Sequence, residues 1–156
     1  MKKVFIPAAA VAVLAFGGVA VGAKPQENKA KFDSEITLNY NQGPYDPYDP
    51  YYEEAVFTGD VDATPTNDRA ESLGTGKCEK NRQVIIRNRD DDNSSAYAVV
   101  RTDEDGQYSA DATQATKEPG TYQARVVKKR KVALNIKCKG DKSNEVEVPD
   151  PGTPTK

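Results

Sequence analysis

Histidine is absent from all 156 residues, and so is tryptophan. Without histidine the chain cannot build a Ser-His-Asp triad, a Cys-His dyad, or a histidine-ligated zinc or haem site. Cysteine is scarce, with only Cys78 and Cys138. Beyond the first 23 residues no apolar run approaches the roughly 20 residues that crossing a bilayer takes. No window of about ten residues repeats its apolar side chains with a helical period, which argues against a helical fold. Charges of both signs are mixed along the chain, so there is no sustained basic face and no nucleic-acid partner is expected. Carboxylate-only chemistry, such as a glycosidase pair of acids, stays open on composition. No set of polar residues converges in sequence on a recognisable reaction, and the reading is of a chain that is not an enzyme, with no cofactor and no metal.

What the chain does have begins at its first residue. Lys2 and Lys3 lead into an apolar run that closes on Val21-Gly22-Ala23. A charged start, an apolar middle and a small-residue end are the layout of a secretory signal peptide, so residues 1–23 are read as a leader cleaved after Ala23. The alternative is a retained anchor, and a membrane association is expected only if the leader is uncleaved. Pro7, the abundance of Ala and Gly, and the lack of a basic stop-transfer cluster after Ala23 favour cleavage. The mature chain is then secreted and soluble. Its balance is 20 basic to 24 acidic residues once Lys2 and Lys3 are gone, a net charge of −4 that names no partner.

Export changes what the two cysteines mean. In an oxidising compartment the default is one intramolecular bond between Cys78 and Cys138. Closing a loop of that size restricts the unfolded chain enough to stabilise the fold by roughly 4 kcal/mol.

Period-two alternation dominates the mature chain. Residues 24–33 are charged and turn-rich, expected to form a flexible lead-in to a domain over 34–148. Ile36, Leu38 and Tyr40 share one face of a predicted strand, and alternation resumes at Val56, Phe57 and Val61. Residues 62–76 are read as a loop. Val84 and Ile86 alternate with Ile85, and a predicted strand over 95–102 pairs with one over 107–112 across Asp103-Glu104-Asp105-Gly106, an Asp-Gly hairpin signal. Pro119-Gly120 opens a strand bearing Tyr122, Ala124 and Val126. Lys128-Lys129-Arg130-Lys131 is read as a basic turn, after which Val132, Leu134, Ile136 and Cys138 fall on one face. Val146 and Val148 mark a last strand, and residues 149–156 a disordered tail. About seven short strands with regular turn signals predict an all-β, antiparallel Greek-key β-sandwich with one disulfide. The expected core is Val84, Ile86, Val100, Tyr108, Tyr122, Val126, Leu134 and Ile136.

Within 82–127, VVRTDEDGQYSAD followed by EPGTYQARV resembles the T-x-x-x-G-x-Y … P-G-x-Y-x-x-x-V pattern of carboxypeptidase regulatory-like domains, the transthyretin-like (prealbumin-type) β-sandwiches. It is also similar to small secreted bacterial proteins in which a cysteine precedes an R-x-V strand and another lies near the end. Cys78 before Arg82-Gln83-Val84, and Cys138, match those positions, and Phe57-Thr58-Gly59 is similar to the F-x-G-x-V opening strand of that group. The resemblance implies a transthyretin-like sandwich serving as an accessory or stalk module, and it carries over no catalytic residue.

The departures from that pattern are where an individual activity is sought. Tyr45, Tyr48, Tyr51 and Tyr52 are interleaved with Asp46 and Asp49 in the loop 41–54. Rings flanked by carboxylates suit sugar stacking or capture of a basic peptide, while a plainer role is to shield a sheet edge. The Asp103-Glu104-Asp105-Gly106 turn matches half of a calcium loop but lacks the distal glutamate and reads better as a plain hairpin turn. Asp90, Asp91 and Asp92 could join a calcium site in the fold, with a solvated turn as the preferred reading. The basic Lys128-Lys129-Arg130-Lys131 run could touch an anionic polymer or headgroups, with a solvated tip as the plainer reading. The functional expectation is a secreted, non-enzymatic β-sandwich module with a structural or binding role, its partner an extracellular ligand or surface component. The alternative is a carbohydrate- or peptide-binding module using the tyrosine loop.

Overall fold

Alternating burial along the chain produces two sheets. A computed structural model describes residues 28–43, 55–91 and 95–150; the leader 1–23 and residues 151–156 lie outside this set. Its strands are β1 (Ala30–Ile36), β2 (Asn39–Asn41), β3 (Val56–Pro65), β4 (Gln83–Asn88), β5 (Ala98–Arg101), β6 (Gln107–Asp111), β7 (Gly120–Val126), β8 (Lys129–Lys131), β9 (Ile136–Cys138) and β10 (Asp141–Val148). Two four-residue helices, α1 (Asp68–Glu71) and α2 (Gly76–Glu79), lie between β3 and β4. The fold is all-β, in two sheets with one disulfide.

The first sheet is organised by the long strand β3. Its first half pairs with β2 on one side and β6 on the other, and its second half pairs with β1. From β1 the sheet continues to β9 and β8. The β1–β9 pair is parallel, a departure from the wholly antiparallel arrangement expected. The second sheet runs β10-β7-β4-β5 and is antiparallel throughout.

Ile36, Phe57, Val61, Tyr108 and Ala110 of the first sheet, with Leu38 between β1 and β2, meet Val84, Ile86, Tyr122, Ala124, Val126 and Val148 of the second. Tyr40, Phe57, Tyr97 and Tyr122 form a chain of ring contacts with centroids 5.1–5.7 Å apart, distances at which tilted and edge-on pairs add to plain burial. A second cluster gathers Ala30, Phe32, Ala63, Ile136 and Cys138 under Ala70 of α1 and Cys78 of α2. The Cys78–Cys138 bond, with Cα atoms 5.6 Å apart, therefore ties α2 to β9.

Several expectations change. The lead-in 24–33 is not wholly free, because its end is the first half of β1, with Ala30 and Phe32 buried. The loop expected over 62–76 contains the end of β3 and α1, whose Asn67 cap accepts from the Ala70 N–H at 3.0 Å. The Asp-Gly turn does close, with the Asp103 N–H on the Gln107 carbonyl at 2.8 Å and Gly106 at φ 87°. It does not make a hairpin, since β5 pairs with β4 and β6 with β3, so the turn carries the chain from one sheet to the other. Of the expected core, Leu134 is 50% exposed. The strand ends before it: Val132–Leu134 is a single 3-10 turn, and left-handed Asn135 at φ 53° restarts the alternation at Ile136.

Candidate functional site

The tyrosines Tyr45, Tyr48, Tyr51 and Tyr52 lie outside the described residues. The strands on either side are described: Asn41 of β2 pairs with Val56 of β3, which brings the two ends of that segment side by side.

The acidic turns are occupied by backbone. Asp103 Oδ1 accepts from the N–H groups of Asp105 and Gln107, both at 2.9 Å. Asp90 Oδ2 accepts from the Thr121 N–H at 2.7 Å, and its own N–H is capped by Asn88 at 2.9 Å. Carboxylates engaged this way shape turns. Among the described residues no three acids or cysteines come together as metal ligands; Asp92 is outside that set.

The basic run forms more than a turn. Lys129–Lys131 is the edge strand β8, and alternation sends its side chains to different places. Lys129 Nζ is held by the carbonyls of Lys80 and Asn81 at 3.0 and 2.9 Å. Burial, then the positive charges of Lys131, Arg82, Arg101 and Lys80, bring its ammonium below the ordinary value. Arg130 pairs directly with Lys137 of β9, which in turn is in register with Lys31 of β1. Lys29, Lys31, Arg130, Lys131 and Lys137 line a cleft of about 370 Å³ together with Val132. Among the described residues no carboxylate lines it. Like charges at directly paired strand positions are unfavourable, so the cleft presents a positive potential to anything that enters.

A second feature is one that alternation implies but that composition and motifs do not mark. Arg82 is fully buried, yet its guanidinium has carbonyls rather than a carboxylate around it. Nη1 donates to the Cys78 carbonyl and to Ser34 Oγ, and Nη2 donates to the carbonyls of Val127 and Lys139 at 3.1 and 2.6 Å. Burial lowers its pKa to about 10, which leaves it charged at neutral pH. Arg82 is in phase with Val84 and Ile86, so period two places it on the buried face.

A third feature is a shallow polar depression of about 530 Å³ over Gly59 and Tyr108, bordered by Asp60, Arg101 and Asp103. Tyr108 lies across Gly59 and donates to the Thr37 carbonyl. A Cβ on Gly59 would stand 2.6 Å from the Tyr108 hydroxyl, so only glycine admits this crossing.

Compared with known proteins, the chain shows no significant match to any family model, curated protein or solved structure.

Proposed function

We infer that the chain is an exported, non-enzymatic β-sandwich module with a binding role at or outside the cell surface. The observation that carries this reading is the Cys78–Cys138 bond: a bridge in a small all-β domain behind a leader-like N-terminus belongs with an oxidising compartment. It accords with the resemblance of 82–127 to transthyretin-like accessory domains. No helix among the described residues is long and apolar enough to cross a membrane. The cation-lined cleft supports binding over a purely structural role, because none of its charged residues belongs to either core cluster.

Expression of the full chain and subsequent cell fractionation test the reading. The expected product is found outside the cytoplasm, begins at Lys24 and has both thiols blocked to alkylation. A chain retained in the cytoplasm with two free thiols would end it.

A second reading, a carbohydrate- or peptide-binding module built on loop 41–54, draws support from the Asn41–Val56 pairing at the base of that segment. Glycan and peptide arrays comparing wild type with the quadruple Tyr→Ala protein decide it. Equal signals, or none, remove the tyrosines from any binding role.

A further inference from the structure

The turn between β8 and β9 is an apolar point set among cations. Val132 is 90% exposed and Leu134 50% exposed. Val132 lines the cation-lined cleft, with Arg130, Lys131 and Lys137 around it. Leu134 and Ala133, with Leu73, Arg69 and Lys77, line a second groove of about 500 Å³, which shares Asn135 and Ile136 with the first. Asp68 and Glu71 belong to the same helix as Arg69 but line neither groove. The point is held in place: the Asn135 N–H bonds back to the Val132 carbonyl at 3.1 Å, its side chain donates to the Asn28 carbonyl at 2.6 Å, and its own carbonyl accepts from the Ala30 N–H at 3.0 Å.

We propose that this end of the first sheet docks onto an anionic lipid surface, with Val132 and Leu134 entering the headgroup layer and the flanking cations meeting the lipid phosphates. The inference deepens the binding role proposed above and does not depend on the leader. Two kinds of chemistry have to be matched at once. The cations ask for a dense negative surface, and a linear polyanion would provide one. A polyanion offers nothing apolar to an exposed valine and a half-exposed leucine beside these charges. An anionic bilayer has both in the required order, charge outermost and hydrocarbon about 5–10 Å beneath it. Basic side chains near such a surface each strengthen attachment, and the long lysine stems let the charge stay at the phosphates while the turn goes deeper. The fixed turn means that the apolar pair is already displayed before contact, so little ordering opposes docking.

Co-sedimentation with vesicles tests this, using protein spanning residues 24–156, which holds every described strand and the disulfide. Vesicles of phosphatidylcholine alone are compared with vesicles containing phosphatidylglycerol, at low and raised salt, with soluble polyphosphate as a competitor. Wild type is expected to sediment only with the phosphatidylglycerol vesicles and to be released by salt. Arg130→Gln/Lys131→Gln/Lys137→Gln lowers partitioning roughly a hundredfold, from three surface charges. Val132→Ser/Leu134→Ser keeps all the charge and lowers it roughly tenfold; both side chains are exposed, so this variant keeps its fold even if the charge variant does not. No preference for the anionic vesicles overturns the proposal, as does a charge variant that is folded and binds like wild type. If the serine variant matches wild type on vesicles and polyphosphate displaces both equally, the site takes a polyanion instead. Export plays no part in these measurements, so failure to partition and failure of secretion are read separately.

Discussion

Arg82 donates to the carbonyl of Lys139 at 2.6 Å, the residue immediately after the bridged Cys138. Because the same guanidinium also reaches the carbonyl of Cys78, one side chain holds the backbone at both ends of the disulfide. Arg82→Met keeps the volume and removes every donor, leaving the Cys78, Val127 and Lys139 carbonyls without this partner. Orphaned acceptors in a dry site cost about 1–3 kcal/mol each, partly relieved by relaxation, so the expected loss is about 3 kcal/mol. Thermal unfolding followed by circular dichroism should show Tm lower by roughly 12 °C. A melt within about 2 °C of wild type would mean that the carbonyls find other donors.

Reduction of Cys78–Cys138 removes the restraint on a 60-residue separation and is expected to cost about 4 kcal/mol. The loss should not add simply to that of Arg82→Met, because both act on the same two segments. With the bridge replaced by Cys78→Ala/Cys138→Ala, Arg82→Met should cost measurably less or more than in the oxidised protein. Urea titration of the four proteins of this cycle gives the coupling, and strict additivity would separate the two restraints.

How much of the fold is legible in the sequence depends on what alternation can and cannot encode. Period two locates β4, β7 and β10 and places Val84, Ile86, Tyr108, Tyr122, Val126 and Ile136 in the core, since one buried face is enough to impose it. It carries no information about partners, which is why the Asp-Gly turn reads as a hairpin although β5 and β6 belong to opposite sheets. It also fails where the backbone leaves the strand while the count continues, as from Val132 to Leu134, or where charged neighbours obscure it, as with Lys31 and Asp33 around Phe32. The candidate site is half visible. Four consecutive basic residues mark the edge, but its partners Lys31 and Lys137 come from strands paired only in three dimensions.

Gly59 and Tyr108 form a crossing that predicts an asymmetric pair of mutants. Tyr108→Phe loses one hydrogen bond to the Thr37 carbonyl and should cost about 1 kcal/mol. Gly59→Ala drives a methyl group into the Thr37 backbone and the Tyr108 ring, an overpacking expected to cost about 3 kcal/mol. Adding Tyr108→Ala should restore little of that loss, because the Thr37 carbonyl stays in the way. Full recovery in the double variant, measured by urea titration, would show that the ring alone makes glycine necessary.

The buried phenols set how the fold responds to alkali. Burial raises the ionisation of Tyr108 well above that of a free tyrosine, raises Tyr122 to about 12, and raises Tyr97 as well. In the unfolded chain all three lose their protons near pH 10. The folded state therefore binds more protons above that pH, and stability must fall as pH rises. The contribution of Tyr122 is complete below about pH 10 and is lost between there and about 12. Arg82 and Lys129 oppose this, since their lowered values make the folded state release a proton first, but these two cations act against three phenols, of which Tyr108 is raised furthest. Tm should thus stay level from neutrality to about pH 9 and then decline, with tyrosinate absorbance from these residues appearing together with unfolding and not before it. Tyr122→Phe should make the decline shallower. A Tm that holds or rises above pH 10, or tyrosinate absorbance that develops fully while the near-ultraviolet dichroism is still native, would show that the phenols reach solvent in the folded protein.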